Sequence, residues 1–183
     1  NAAGGNDWIR LNSGSDTVDG GDGFDTLEID LNGFTLPAGF IYQLDLSTGY
    51  SGQLGNPNLS DSISNVEALM LRGSYDAQVT GDAENNRFET GTGNDTLQGG
   101  SGDDILNGGS GMNQLTGGDG TDTLRIDVHL AVRITDSSVF GDSQSTHTGF
   151  EQAMAIGNIH IGTIAGKLNG VMPATTPSGW RIE

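Results

Sequence analysis

The 183-residue chain has no cysteine, a single lysine (Lys167), four prolines and only seven Lys and Arg together. The missing cysteine excludes a disulfide scaffold. The missing positive charge excludes the clustered Lys and Arg that nucleic-acid phosphates require. No apolar run approaches the roughly 18 residues of a membrane-spanning helix. Aromatic residues are 6% and hydrophobic residues 33%, which leaves little with which to build a conventional core. The chain starts at Asn1 with neither Met nor a charged-then-apolar leader, so it is expected to be a piece of a longer protein.

What is abundant is glycine and acid. Glycine contributes 31 residues, and 24 Asp and Glu give a formal net charge of −17. The acid is mostly Asp, 18 against 6 Glu, with 14 Asn beside it. Asp, Asn and Gly are the residues of tight loops and of oxygen cages for hard cations. Low hydrophobicity with high net charge otherwise means disorder, so the spacing of the acids decides. They are periodic. Asp7, Asp16 and Asp25 are nine apart, and so are Asn86, Asp95, Asp104, Asn113 and Asp122. Two residues after each comes an apolar residue: Ile9, Val18 and Leu27, then Phe88, Leu97, Leu106, Leu115 and Leu124. Glycine precedes each by two residues, except at Glu84. The fullest copies are Gly-Gly-Ser-Gly-Asp-Asp-Ile-Leu-Asn at 99–107, Gly-Gly-Asp-Gly-Thr-Asp-Thr-Leu-Arg at 117–125 and Gly-Gly-Asp-Gly-Phe-Asp-Thr-Leu-Glu at 20–28.

These eight copies, 72 of 183 residues, resemble the RTX (repeats-in-toxin) nonapeptide G-G-x-G-x-D-x-U-x, a calcium-binding β-helix repeat. The resemblance implies an all-β fold, a right-handed parallel β-roll or β-solenoid. The residues rationalise it. Six positions of each repeat form a turn and three a short strand, in which Leu106 points inward and its neighbours outward. Two nonapeptides make an 18-residue coil with a strand on each face, and coils stack at roughly 4.8 Å. Asp104 then lies over Asp122, and Asp7 over Asp25. Stacked carboxylates repel unless a cation lies between them, and carboxylates with backbone carbonyls suit calcium better than magnesium, which prefers to keep its water.

In the family each cage takes the second and fourth carbonyls and the Asp of one turn, then the first and third carbonyls and the Asp of the turn one coil later. Carried over, this implies four cages, within an expected three to five calcium ions. The first uses Ala3, Gly5 and Asp7 with Gly20, Asp22 and Asp25. The second uses Gly100, Gly102 and Asp104 with Gly117, Asp119 and Asp122. A third uses Gly91, Gly93 and Asp95 with Gly108, Ser110 and Asn113, where Asn113 removes a charge. A fourth uses Asp82, Glu84 and Asn86 with Gly99, Ser101 and Asp104, and departs from the motif at Asn86 and Glu84. Asp16 is well formed, but nothing in 29–37 matches a partner coil. The side chains of Asp22, Asp103 and Asp119 are expected to face solvent.

The repeat blocks cover 2–28 and 81–125. Between them, 29–80 is expected to be a non-repeat β segment that ends in a degenerate coil at 72–80, where Ala77 replaces the Asp. Residues 126–183 form a C-terminal β segment with a linker-like tail from Pro173. Alternation places Phe40, Tyr42, Leu44 and Leu46 on one face, and Leu124 to Ile134 in one long strand. Gly49, Gly52, Gly55 and Pro57 mark a loop. These segments are expected to widen the sheet or cover an end of the roll, since an open edge is a pairing hazard. Val66-Glu67-Ala68-Leu69-Met70 and Phe150-Glu151-Gln152-Ala153-Met154 are related phrases, which suggests a tandem of two long units.

His129, His147 and His160 lack zinc-site spacing, and no nucleophile elbow or phosphate loop is present. No catalytic residues are expected, and the chain is read as not an enzyme. The resemblance implies a calcium-binding structural module of a secreted bacterial protein, of adhesin or surface-layer type, exported by type I secretion and folded by extracellular calcium. The alternative is the C-terminal accessory of a secreted protease, lipase or polysaccharide-modifying enzyme whose catalytic domain lies elsewhere. Self-association or contact with a cell surface or polysaccharide is an open possibility. Extracellular calcium modules bind at about 10⁻⁴–10⁻³ M. At ten times that concentration four independent sites contribute roughly 6 kcal/mol, comparable with the stability of a whole domain.

Overall fold

The computed structural model describes residues 2–11, 14–53, 56–127, 133–135, 138–140, 146–148, 152–156, 164–165 and 171–173, with backbone alone at 56–59 and beyond Arg125. The described residues are all-β, with no helix. In chain order the strands are β1 (Trp8–Arg10), β2 (Thr17–Asp19), β3 (Thr26–Asp30), β4 (Ile41–Asp45), β5 (Tyr50–Gln53), β6 (Asn56–Ser64), β7 (Ala68–Arg72), β8 (Asp76–Thr80), β9 (Arg87–Glu89), β10 (Thr96–Ser101), β11 (Ile105–Asn107), β12 (Gln114–Asp119), β13 (Thr123–Asp127), β14 (Arg133–Thr135), β15 (Ser138–Phe140), β16 (Thr146–Thr148), β17 (Gln152–Ile156), β18 (Ile164–Ala165) and β19 (Val171–Pro173). They form two eight-stranded sheets and one three-stranded sheet.

Within the repeats, consecutive strands alternate between the two large sheets. The first sheet runs β1-β3-β7-β9-β11-β13-β17-β19 and is parallel throughout. The second runs β16-β12-β10-β8-β4-β5-β6-β2. Registers advance by 18 residues: Leu106 pairs with Phe88 and Leu124 in the first sheet, and Leu97 with Val79 and Leu115 in the second. Stacking like on like gathers Val18, Leu27, Val79, Phe88, Leu97, Leu106, Leu115 and Leu124 into one buried core, with Ile9 packed at its end. The nonapeptide supplies only one inward apolar residue per strand, so the core is a thin double column. Ile105 faces outward as expected, whereas Asn107 is buried. Its carboxamide oxygen accepts the Gly109 NH at 3.0 Å and its carbonyl accepts the Thr90 NH at 2.9 Å, so it closes the strand into the next turn.

The wholly parallel roll expected from the repeats is interrupted. Between β2 and β8 the second sheet holds an antiparallel meander, β6-β5-β4, while the first sheet passes directly from β3 to β7 with Leu27 opposite Leu69. The insertion therefore widens one sheet and leaves the other continuous; it does not cap an end. The glycines read as a loop lie largely in this meander. Gly52 is in β5, where the register shifts, and Pro57 is in β6, while Gly55 lies outside the described residues. Tyr42 and Leu44 are buried, with Phe40 and Leu46 packed against the core. β8 is the degenerate coil, with Val79 fully buried in register. The long strand expected over 124–134 is divided: β13 belongs to the first sheet and β14 to the small third sheet.

On the outer face of the first sheet, Glu28 lies between Arg10 and Arg72, with the Arg72 Nε at 2.9 Å and the Trp8 indole NH donating at 2.7 Å. The Arg10 and Trp8 hydrogen bonds hold the Glu28 carboxyl well below the usual carboxylate range, at about 2.

Candidate metal centre

Each six-residue turn presents its acidic side chain to the turn one coil earlier. The Oδ1 atom of Asp25 accepts the Asp7 NH at 2.7 Å, that of Asp104 accepts the Asn86 NH at 2.7 Å, and that of Asp122 accepts the Asp104 NH at 2.9 Å. On the other side of the roll Asp95 accepts from Ala77 at 2.8 Å, and Asn113 from Asp95 at 2.9 Å. The 18-residue step thus makes a ladder in which one carboxylate oxygen is locked to the backbone. The second oxygens of Asp25 and Asp104 are buried without a hydrogen-bond partner, although both residues are almost wholly inaccessible. A buried charged oxygen without a donor is costly unless a cation meets it.

The carbonyls expected as ligands are stacked on the same step. A side-chain carbon at Gly118 (φ +121) would overlap the Gly100 carbonyl, and one at Gly120 would overlap that of Gly102. Gly91, Gly93 and Gly5 stand in the same relation to Gly109, Gly111 and Gly23. At Gly99 an added carbon would overlap the Asp104 Oδ2 and lie 2.5 Å from the Gly117 carbonyl oxygen. Two expected ligands of the second cage, Asp104 and Gly117, therefore converge on one point. Gly5 NH donates to Asp22 O at 2.7 Å, Gly102 NH to Asp119 O at 2.9 Å, Ser101 NH to Asp82 O at 3.0 Å and Ser110 NH to Gly91 O at 3.0 Å. Each such carbonyl keeps a second lone pair.

The third and fourth expected cages look different. Asn113 turns its amide Nδ2 to donate to the Gly108 carbonyl at 2.7 Å, so a neutral donor stands where an Asp would present a bare oxygen. In the fourth, Asn86 Oδ1 accepts the Asp82 NH at 3.0 Å and Asp82 Oδ1 accepts the Glu84 NH at 3.0 Å; the turn satisfies itself. Ala3 is exposed near the chain start. Burial pushes the Asp104 carboxyl up to about 6, opposed by the Asn86 NH and reinforced by the Asp122, Asp82 and Asp103 charges. Burial likewise pushes Asp95 up to about 6, against hydrogen bonds from Thr90 and Ala77. Among the described residues no three His, Cys, Asp or Glu side chains gather into a metal cluster, so any cage here relies on backbone carbonyls.

Asp16 does have a partner coil, 45 residues on: its NH donates to Asp61 Oδ1 at 2.9 Å, and Val18 pairs with Ile63. Glu67 plays the same part for Asp25, accepting its NH at 2.7 Å. A second ladder runs on the exposed side of the turns. Asn6, Asp76, Asn85, Asn94 and Asp103 each accept an NH from 18 residues later, at 2.8–3.1 Å. Asp103 is exposed, as are Asp22 and Asp119, but its Oδ1 is a rung of this ladder. Asn94→Ala removes the acceptor for Met112 NH and is expected to cost about 1 kcal/mol, read by denaturant unfolding in saturating calcium.

Residues 1–27 and 80–114 match the family model for the RTX calcium-binding nonapeptide repeat (4 copies). No curated protein matches the chain. The matched segments contain the Asp7–Asp25, Asn86–Asp104 and Asp95–Asn113 steps of the ladder and one member, Asp104, of the step to Asp122. No helix among the described residues is long and apolar enough to cross a membrane.

Proposed function

We propose that the chain is a calcium-dependent, right-handed parallel β-roll module of a secreted bacterial protein of adhesin or surface-layer type, without catalytic activity of its own. The observation that carries this reading is the buried, unpartnered Oδ2 of Asp104 converging with the Gly117 carbonyl beside Gly99, in a turn that the RTX model matches. That arrangement repels itself until a divalent cation enters. Extracellular calcium supplies the cation, and a chain with this little core stays unfolded where calcium is scarce, which suits type I secretion. The widened second sheet supports a contact role over that of a bare secretion appendage, because it enlarges the strand surface beyond what calcium binding needs.

The test is a calcium titration followed by far-ultraviolet circular dichroism. In chelator the chain is expected to be largely unstructured, and to gain β signal cooperatively towards millimolar calcium. An identical spectrum and melting temperature with and without chelator would remove the basis for the reading.

A further inference from the structure

We propose that a calcium ion also binds at a site half outside the nonapeptide repeats, where the turn 20–25 meets the three-residue turn Asn65–Glu67, held by Asp25 Oδ2, the Asn65 carbonyl and the Glu67 carboxylate. The inference rests on the calcium-binding reading above. Asp25 is fully buried; its Oδ1 accepts the Asp7 NH, and its Oδ2 has no partner. A carbon at Gly20 would overlap the Asn65 carbonyl oxygen and lie 2.6 Å from Asp25 Oδ2. Two acceptor oxygens thus crowd one point, as Asp104 Oδ2 and Gly117 O do in the repeat.

The backbone is committed to this arrangement. Asn65, at φ 51°, is the one non-glycine residue with positive φ among the described residues, a conformation that costs free energy unless its surroundings hold it. The six-residue turn of the repeat has been cut to three here, and an acid one methylene longer than Asp follows at Glu67. Its Oε2 accepts the Asp25 NH at 2.7 Å, the role that Asp122 plays for Asp104. None of the ion pairs among the described residues includes Asp25 or Glu67. An irregular set of carbonyls and carboxylates suits calcium and not the strict octahedron of magnesium. Such an ion ties the end of the insertion to the first repeat block, and so couples the two blocks across it.

The site is tested on the 183-residue chain by counting bound calcium with native mass spectrometry and by anomalous diffraction from crystals grown in calcium. The wild-type chain is expected to show an anomalous peak between Asp25 Oδ2 and the Asn65 carbonyl. Glu67→Gln, whose amide oxygen still accepts the Asp25 NH, should bind one ion fewer and lose that peak alone. Glu89→Gln, on the outer face beside Arg87 and Arg125, should bind as many ions as wild type. Peaks at Asp104 and Asp122 with none at Asp25 and Asn65, or an unchanged ion count in Glu67→Gln, would overturn the inference and leave the module reading intact. No bound calcium anywhere would overturn both. If Glu67→Gln does not fold, the wild-type map decides alone.

Discussion

Asp104→Asn is expected to raise the calcium concentration at the folding midpoint about tenfold or more, and at the same time to make the calcium-free chain more structured. The protein contains the reference for this change. At Asn113 an amide already occupies the ladder position: its Oδ1 accepts the Asp95 NH and its Nδ2 donates to the Gly108 carbonyl. An amide at 104 would accept the Asn86 NH in the same way and offer its Nδ2 to the carbonyls that crowd Oδ2 now. The repulsion expected among these oxygens would become a hydrogen bond, while the proposed cages on either side would lose a charged ligand, Asp104 standing between Asn86 and Asp122 in the ladder. Asp104→Ala would lose the ligand and also strand the buried Asn86 NH, costing about 1–3 kcal/mol, so it should be worse with or without calcium. Asn113→Ala should weaken the fold by a similar local loss but move the calcium midpoint only slightly, since it removes a neutral group that already has its partners. Calcium titrations of the three variants check the order. Equal midpoint shifts at 104 and 113 would show that the two positions are chemically equivalent and that Asp104 holds no ion.

Much of this was legible because a nine-residue period leaves few options. One apolar residue per repeat, two residues after the acid, identified the core: Leu97, Leu106, Leu115 and Leu124 are all buried. The 18-residue step stacked Asp104 with Asp122 and Asp7 with Asp25. The insertion was not legible, because spacing is informative only while the chain stays on the roll. Once the antiparallel meander is inserted, the return point has no fixed distance, and Asp61 and Glu67 join the ladders 45 and 42 residues from their partners. A local signal was nonetheless present, since Asp61-Ser62-Ile63 and Glu67-Ala68-Leu69 both repeat the acid–x–aliphatic phrase. The outer ladder was overlooked for a different reason. Asn85 and Asn94 look like ordinary solvated turn residues, and only the stacked backbone shows that each has an NH 18 residues on to bind.

In chelator, the chain is expected to be more structured near pH 5 than near pH 8, with the order reversed in calcium. Burial raises both Asp95 and Asp104 from 3.8 to about 6 in the folded chain. A carboxyl raised in this way prefers the fold when neutral. Its contribution is therefore fully present below about pH 4 and is lost as pH rises through about 6. Ionising either one in the calcium-free fold costs up to about 3 kcal/mol, so the pair together is comparable with the lower end of a domain's stability. Glu28 acts in the opposite sense: held at about 2 by Arg10, Trp8 and Arg72, it stabilises the fold above its unfolded value and loses that effect only as pH falls towards 2. It leaves the window between 4 and 6 to the carboxyls that burial raises, Asp95 and Asp104 together with Asp61 and Glu67, which are shifted in the same direction. Calcium inverts the balance because it binds the ionised carboxylate, so protons compete with it and its midpoint should rise as pH falls. Acid also lowers the overall net charge of −17, which favours compaction by itself. Asp104→Asn separates the two effects, since it changes the net charge by one and removes one of the two carboxyls raised to about 6. If its pH dependence in chelator matched that of the wild type, general charge repulsion, and not the stacked aspartates, would be what holds the empty chain open.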